Sequence, residues 1–412
     1  MFRPLLLILA FLLTPMALAA ADNWPGFRGH GDSHAAGELP LTWDDEQHVA
    51  WKCDLPGYGQ SSPVVWNDQI FVTGIKGENK EALYVACVDL KGGSIVWQKE
   101  FPPTKQIKVT DYIGRAAPTP VVDANRVYAF YETGDLVALT HTGEQVWTRS
   151  VTKDYGEIQG NHGLGGSPAQ TDNAVILLID HAGPSYLVAF DKATGAPLWK
   201  KDRESRVSWS SPVVVDGENG QEILVSSNGV AQSFSAKDGE LIWEVKGLKG
   251  NTTNSPSVGP EGVLIGAGQP GDNLLIRRGG KGDITESHIA WRAAGVSSSF
   301  GSPVLHNGRA YFVNKTGIAF AVNMANGETL WSQRLPDSPW ASSLAAGDRI
   351  YYFLKNGTTV VVEDGATYKK LAENKLTLDG RLYGVAVARG GILIRGSNRL
   401  LYIRDTKLAK AE

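Results

Sequence analysis

The chain has 412 residues, with 40 Lys+Arg against 43 Asp+Glu and a formal charge of −3. That balance excludes a nucleic-acid binder that works through a strongly basic face. With 42% hydrophobic and only 20% charged residues, it also excludes a disordered acidic chain. Glycine is frequent (47), and Trp (12) outnumbers Met (3), which favours short strands, tight turns and repeated aromatic anchors over helices.

Residues 1–20 read as a signal peptide. Met1-Phe2-Arg3 is a positive start, Leu5 to Leu13 a short apolar run, and Ala17-Leu18-Ala19-Ala20-Ala21 a small-x-small cleavage site. Thr14 and Pro15 interrupt the run, which is too short to span a bilayer, and nothing later in the chain is long and apolar enough. The expectation is a periplasmic or secreted monomer, without a membrane span, after cleavage near residue 20. Residues 21–47 form an N-terminal extension, and residues 48–412 a single domain. Cys53 and Cys87 leave two readings open, a disulfide in an oxidising compartment or two separate buried thiols. No His or Cys cluster has metal-ligand spacing, so no metal site is expected.

One unit is written eight times. It begins at Ser61-Ser62-Pro63, Pro118-Thr119-Pro120, Gly166-Ser167-Pro168, Ser210-Ser211-Pro212, Asn254-Ser255-Pro256 and Gly301-Ser302-Pro303. Worn copies stand at Ser342-Ser343-Leu344 and Tyr383-Gly384-Val385. Near the far end of the units stand Trp51, Trp97, Trp147, Trp199, Trp243, Trp291 and Trp331, spaced 40 to 52 residues apart. That is the spacing of four-stranded propeller blades.

Within a unit, β-branched and aromatic runs such as Arg126-Val127-Tyr128-Ala129-Phe130 alternate with turns such as Glu132-Thr133-Gly134-Asp135. A lone four-stranded sheet cannot hold a core, and radial closure buries every face. The last unit, about Tyr383 to Arg404, lacks a Trp strand, and a spare one, His48 to Asp54, precedes the first Ser-Ser-Pro. The expected fold is therefore all-β: an eight-bladed propeller of four-stranded antiparallel blades, the last blade closed by the N-terminal strand.

The clearest unit end is Ala189-Phe190-Asp191-Lys192-Ala193-Thr194-Gly195-Ala196-Pro197-Leu198-Trp199. It resembles the A-x-D-x-x-T-G-x-x-x-W docking motif of PQQ-type (quinoprotein-like) propeller repeats. Cys87-Val88-Asp89 with Gly93 and Trp97, and Ala321-Val322-Asn323 with Gly327 and Trp331, resemble it in part. The leader Asn23-Trp24-Pro25-Gly26-Phe27-Arg28-Gly29 is similar to that of secreted bacterial members. In such a motif Asp and Thr cap a turn, Gly supplies a positive φ, and Trp wedges against the next blade. Burial of one such ring contributes on the order of 3 kcal/mol. The seven Trp residues are therefore read as structural docking groups.

The resemblance implies two activities. Quinoprotein dehydrogenases bind pyrroloquinoline quinone (PQQ) with Ca²⁺ in the channel, whereas BamB-like members bind protein partners. The chain has no adjacent Cys pair, and no acidic cluster stands at corresponding positions of different units to supply several oxygens to Ca²⁺. The expectation is a binding or protein-interaction scaffold without a cofactor and without catalytic residues. The alternative is a PQQ-dependent or other small-molecule oxidoreductase acting on alcohols or sugars.

Residues just before each Ser-Pro turn face one rim of the channel: Tyr58, Gln60, Tyr112, Arg115, Asn161, His162, Trp209, Thr253, Asn254, Phe300, Trp340, Arg381 and Tyr383. These aromatic and hydrogen-bonding groups either plug the channel or receive a protein, small-molecule or carbohydrate ligand. His162, among glycines, is a candidate general base or a structural histidine. Arg115 could bind a carboxylate or phosphate, or pair with Asp111. The insert Gly266 to His288 is either a partner-contact loop or a solvated one.

Overall fold

The computed structural model describes residues 23–110, 114–160 and 162–405. The signal-peptide reading at residues 1–20 lies outside them. Among the described residues thirty-four strands form eight sheets, one per repeat unit. Blade 1 consists of Val64–Trp66, Gln69–Lys76, Ala82–Asp89 and Ile95–Phe101, all antiparallel. Blades 2 to 7 repeat this order outward from the axis. Blade 8 takes Gly384–Ala388, Gly391–Arg395 and Arg399–Ile403 from the chain's end and Val49–Asp54 from its beginning. The eight-bladed ring and its N-terminal closure are as the sequence led us to expect.

Middle strands are apolar on both sides because each blade is covered by two neighbours. All six residues of Ala174–Ile179 are buried, whereas the outermost strand Ile95–Phe101 is exposed along most of its length. The core is thus a ring of layers between blades. One layer joins Phe130 and Leu136 of blade 2 to Val175 and Leu177 of blade 3.

Three features depart from a uniform four-stranded count. Blade 7 gains an innermost strand, His34–Ala35, parallel to Leu344–Ala346. Blade 4 gains an outermost one, Gly282–Asp283, parallel to Leu241–Lys246. Among the described residues one short helix, Val151–Tyr155, follows blade 2, with the Ser150 side chain accepting from the Lys153 N–H.

The docking Trp residues join consecutive blades. The indole N–H of Trp51 donates to Leu90 O at 2.8 Å, Trp97 to His141 O at 2.9 Å, Trp199 to Ala236 O at 3.2 Å, Trp291 to Met324 O at 2.7 Å and Trp331 to Gly365 O at 3.1 Å. Each acceptor lies in a turn of the following blade. In all eight blades the register slips by one residue at this point of the outer hairpin. Such a bulge re-aims a side chain, here the indole toward the neighbour. Trp243 docks differently. Its neighbour's turn is the 277–288 insert, which lays Gly282 beside Trp243 as an added strand, with the Ile284 N–H donating to Glu244 O at 2.9 Å. This part of the proposed contact loop is therefore a clamp between blades 4 and 5.

A second ring of bonds explains the Ser-Pro repeat. Ser62 N donates to Thr119 Oγ1, Thr119 N to Ser167 Oγ, Ser167 N to Ser211 Oγ, Ser211 N to Ser255 Oγ, Ser255 N to Ser302 Oγ and Ser302 N to Ser342 Oγ, all between 2.9 and 3.1 Å. The hydroxyls thus tie seven consecutive inner strands together. Cys53 and Cys87 are both buried and unbonded, which resolves that pair as two thiols.

Candidate functional site: the channel mouth

The two ends of the channel differ. At the end below the inner strands, residues 24–35 cross the axis. Trp24 exchanges backbone bonds with Val65 of blade 1, Pro25 O accepts from Val122 N of blade 2, and Ser33 O accepts from Ala345 N of blade 7. Arg28 closes the span. Its fully buried guanidinium donates to Pro256 O (3.0 Å), Ser257 Oγ (2.7 Å), Pro303 O (3.0 Å) and Ser33 Oγ (3.0 Å), reaching blades 5 and 6. Burial pulls its pKa down to about 10. The extension is thus a plug. Between it and the mouth, Phe27, Phe300 and Trp340 leave a void of about 40 Å³, room for about one water.

The opposite end carries the rim set. The connections Leu55 to Gln60, Gly114 to Ala116 and Asp379 to Tyr383 bring their side chains into one arc. The Arg115 guanidinium lies 4.5 Å over the Tyr58 ring. The Tyr58 and Tyr383 hydroxyls meet at 2.5 Å. Tyr383 stands edge-on to Trp340 at 6.2 Å, and Trp340 stacks on Phe300 at 4.8 Å with an 11° tilt. The Arg381 guanidinium lies 5.0 Å from the Trp340 ring. Burial, then the bond to Tyr58, pushes the Tyr383 phenol up to about 12.

The arc is held from beneath. Gln60 N donates to Arg115 O at 3.0 Å while Arg115 N donates to Gln60 Oε1 at 2.9 Å. Ala116 N donates to Glu132 Oε1 at 3.0 Å, and Lys80 Nζ to Gly114 O at 2.6 Å. Lys80 and Glu132 also pair with each other, both with 0% side-chain exposure. A buried ion pair is costly unless further bonds satisfy it, and here those bonds fix the Arg115 backbone. Phe300 has φ +65° and is 41% exposed. A bulky residue in that region is strained, a condition that clusters at binding sites.

The remaining rim residues separate. His162 is exposed, with its ring 5.7 Å from Trp209, and the Trp209 indole donates to Gly163 O at 3.0 Å. Asn254 is fully buried and donates to Gly301 O at 2.7 Å, so it is a strut between blades 5 and 6. Thr253 is half-buried. Tyr112, Asn161 and Asp111 lie outside the described residues.

Sequence reading missed Arg395, the most consequential neighbour of the arc. It is wholly buried under Tyr58 and Tyr383, beside the phenols of Tyr84 and Tyr131, and it forms no ion pair among the described residues. Nη1 donates to Ser61 Oγ at 3.0 Å, and the guanidinium also engages the Tyr84 phenol. Burial lowers its pKa. A Cβ at Gly59 would stand 2.1 Å from Nη2, so Gly59 is what admits the guanidinium. The glycine was a readable signal, but its arginine lies more than three hundred residues away.

Among the described residues no three His, Cys, Asp or Glu side chains converge to hold a metal, and no helix is long and apolar enough to cross a membrane.

Comparison with known proteins gives a consistent picture. The chain matches the family described as outer membrane protein assembly factor BamB over residues 41–160 and 132–371. BamB of Moranella endobia (strain PCIT) is 24% identical over 291 residues, covering 67% of this chain and 67% of that protein. The crystal structure of BamB from Moraxella catarrhalis superposes with a TM-score of 0.61 at 13% identity, over 87% of this chain and 99% of that one. Quinohemoprotein alcohol dehydrogenase from Comamonas testosteroni gives 0.68 at 13% identity, over 94% and 81%. The two structural likenesses are likenesses of fold. With most of its length matched and eight closed blades, the chain belongs to the BamB family of PQQ-like propellers.

Proposed function

We propose that this protein is a non-catalytic binding scaffold of the bacterial cell envelope that engages a protein partner through its channel mouth. One observation carries the reading: the chain's own residues 24–35 cross and close the axis at the far end, while the Arg115–Tyr58–Tyr383–Trp340–Phe300 arc stands at the opposite mouth. The secretory reading of residues 1–20 and the relatives' description as an outer membrane protein assembly factor support an envelope location.

A quinone with Ca²⁺ fits these residues poorly. The axial void of about 40 Å³ is too small for a tricyclic cofactor. The open mouth pocket beside the arc has Asp379 as its single acidic lining residue, where Ca²⁺ takes six to eight oxygens. Phe300 and Arg381 already occupy the Trp340 indole, which a flat cofactor would need.

The test is a photo-crosslinking residue at Phe300, with His30 on the plugged end as control. A discrete heterologous adduct from position 300 and none from position 30 is expected. Adducts from position 30 alone, or from neither, would refute the reading. Stoichiometric quinone binding with Ca²⁺, accompanied by dye reduction with alcohols or sugars, would replace it with the dehydrogenase.

A further inference from the structure

One cavity of about 580 Å³ opens on the rim face where blades 8 and 1 meet, within the usual size of a ligand pocket. Three segments build it: the connection Asp379 to Tyr383, the turn at Ser397 and Asn398, and the entry Leu55 to Gln60. The backbone holds them together. Leu55 N donates to Asn398 O at 2.7 Å, Gly59 N to Ser397 O at 2.8 Å and Tyr383 N to Arg395 O at 2.9 Å. A pocket fixed by main-chain bonds is formed before its ligand arrives, which lowers the cost of binding.

Its side chains are left unspent. Asp379, Arg381 and Asn398 are exposed, and the side chain of none of them forms a hydrogen bond with another described residue. The Arg381 guanidinium lies 5.0 Å from the Trp340 ring, which steadies it and leaves its N–H edges open. Arg399, which also feels the Asp379 charge, is spent on Asp54 at 2.6 Å. The other cation of the lining, Arg115, is engaged: it lies over Tyr58 and donates to Thr110 O at 3.3 Å. Ser397 is 5% exposed, and its buried hydroxyl has no partner. A Cβ at Gly380 would stand 2.2 Å from that oxygen, so glycine is what lets the loop close over it.

One open carboxylate, one open guanidinium and one open amide carry no net charge. The carboxylate only accepts, the guanidinium only donates and the amide does both. An anion held by Arg381 would be repelled by Asp379, and a cation held by Asp379 would be repelled by Arg381. A guest that satisfies all three groups must be uncharged and carry several atoms that donate and accept at once. We propose that this pocket binds a neutral pyranose unit of a glycan, its adjacent hydroxyls held by Asp379, Arg381 and Asn398. The site goes beyond the scaffold reading and does not rest on it. A peptide is served less well. Protein contacts gain most from apolar anchors in dry pockets, and Leu55 and Pro56 are the only aliphatic side chains in this lining.

The test is calorimetric titration of the full-length protein with cellobiose, lactose and N,N′-diacetylchitobiose, beside galacturonate and a capped pentaalanine. At least one of the three neutral disaccharides should bind with a dissociation constant of about 1 mM or lower. Raising the salt should change that affinity by less than about twofold, because no net charge is neutralised. Asp379→Ala, Arg381→Gln and Asn398→Ala should each weaken it about tenfold, with circular dichroism unchanged since all three side chains are exposed. Arg334→Gln, an exposed change on blade 6, should leave it within about twofold. No binding of any of the three disaccharides, or binding indifferent to Asp379→Ala, would overturn the proposal. Galacturonate or pentaalanine binding as tightly as the best disaccharide would overturn the assignment to a neutral sugar. The crosslink from position 300 is read separately, so absent sugar binding sinks the pocket and leaves the scaffold, and an absent crosslink does the reverse.

Discussion

Trp147 of blade 2 donates its indole N–H to the carbonyl of Lys192 in blade 3 at 3.0 Å. The same indole packs on Gly195, whose φ is +73° and where a Cβ would stand 2.7 Å from ring atom Cδ2. Asp191 shapes the turn by accepting from Thr194 N at 2.8 Å and Thr194 Oγ1 at 2.7 Å. The motif thus couples a turn in one blade to a ring in the blade before it.

Trp147→Phe should cost about 1 kcal/mol for the lost bond, with a further loss from packing. Gly195→Ala should cost about 2 kcal/mol or more, because it adds both backbone strain and overlap with the indole. Denaturant unfolding midpoints check both, and a neutral Gly195→Ala would refute the docking account.

Arg28→Met should lower stability by about 3 kcal/mol. It removes four donated bonds and leaves the buried Pro256 carbonyl unpaired. Limited proteolysis should then cut within residues 23–35 sooner than in the parent protein. An unchanged midpoint and digestion pattern would show that the plug is held by its other contacts.

For Lys80 and Glu132, removing one partner should be worse than removing both. Glu132→Gln strands a buried ammonium and should cost about 3–5 kcal/mol, whereas Lys80→Met with Glu132→Leu should cost less. A double-mutant cycle measures the difference. Two single costs that simply add would contradict the coupling.

Alkaline stability follows from the phenols. Burial raises Tyr128, Tyr131, Tyr186, Tyr311 and Tyr352, and raises Tyr383 to about 12. A folded value above the unfolded one, about 10, means that the native state holds the proton more tightly. The stability from this is fully present below pH 10 and is lost as pH climbs through 12. Tyrosinate absorbance should therefore rise mainly in a step that coincides with loss of circular dichroism. A gradual rise near pH 10 with the fold intact would contradict it.

The ring was legible because its signals repeat. Ser62, Thr119 and Ser167 recur at blade spacing, as do Trp97 and Trp147, and period exposes what a single copy hides. What the sequence left dark is what occurs once. Arg28 reaches Pro303 across 275 residues and Arg395 reaches Ser61 across 334, and no local pattern announces either partner. Position before the Ser-Pro turn placed Tyr58, Arg115, Trp340, Arg381 and Tyr383 at one mouth. It could not separate them from Asn254, because a connection that turns inward has the same register as one that turns out. The 277–288 insert read as surface, since an added strand against Trp243 needs only the backbone of Gly282 and Asp283.

The strand Val49–Asp54 pairs with Arg399–Ile403. A polypeptide released N-terminus first therefore presents this segment long before its mate exists. Until then its outer strand is an open edge, exposed to stray pairing. Joining the two ends must wait for nearly the whole chain and ranks among its most non-local contacts, the kind that slows folding. Holdase chaperones that shield such edges would matter most for this molecule during that interval.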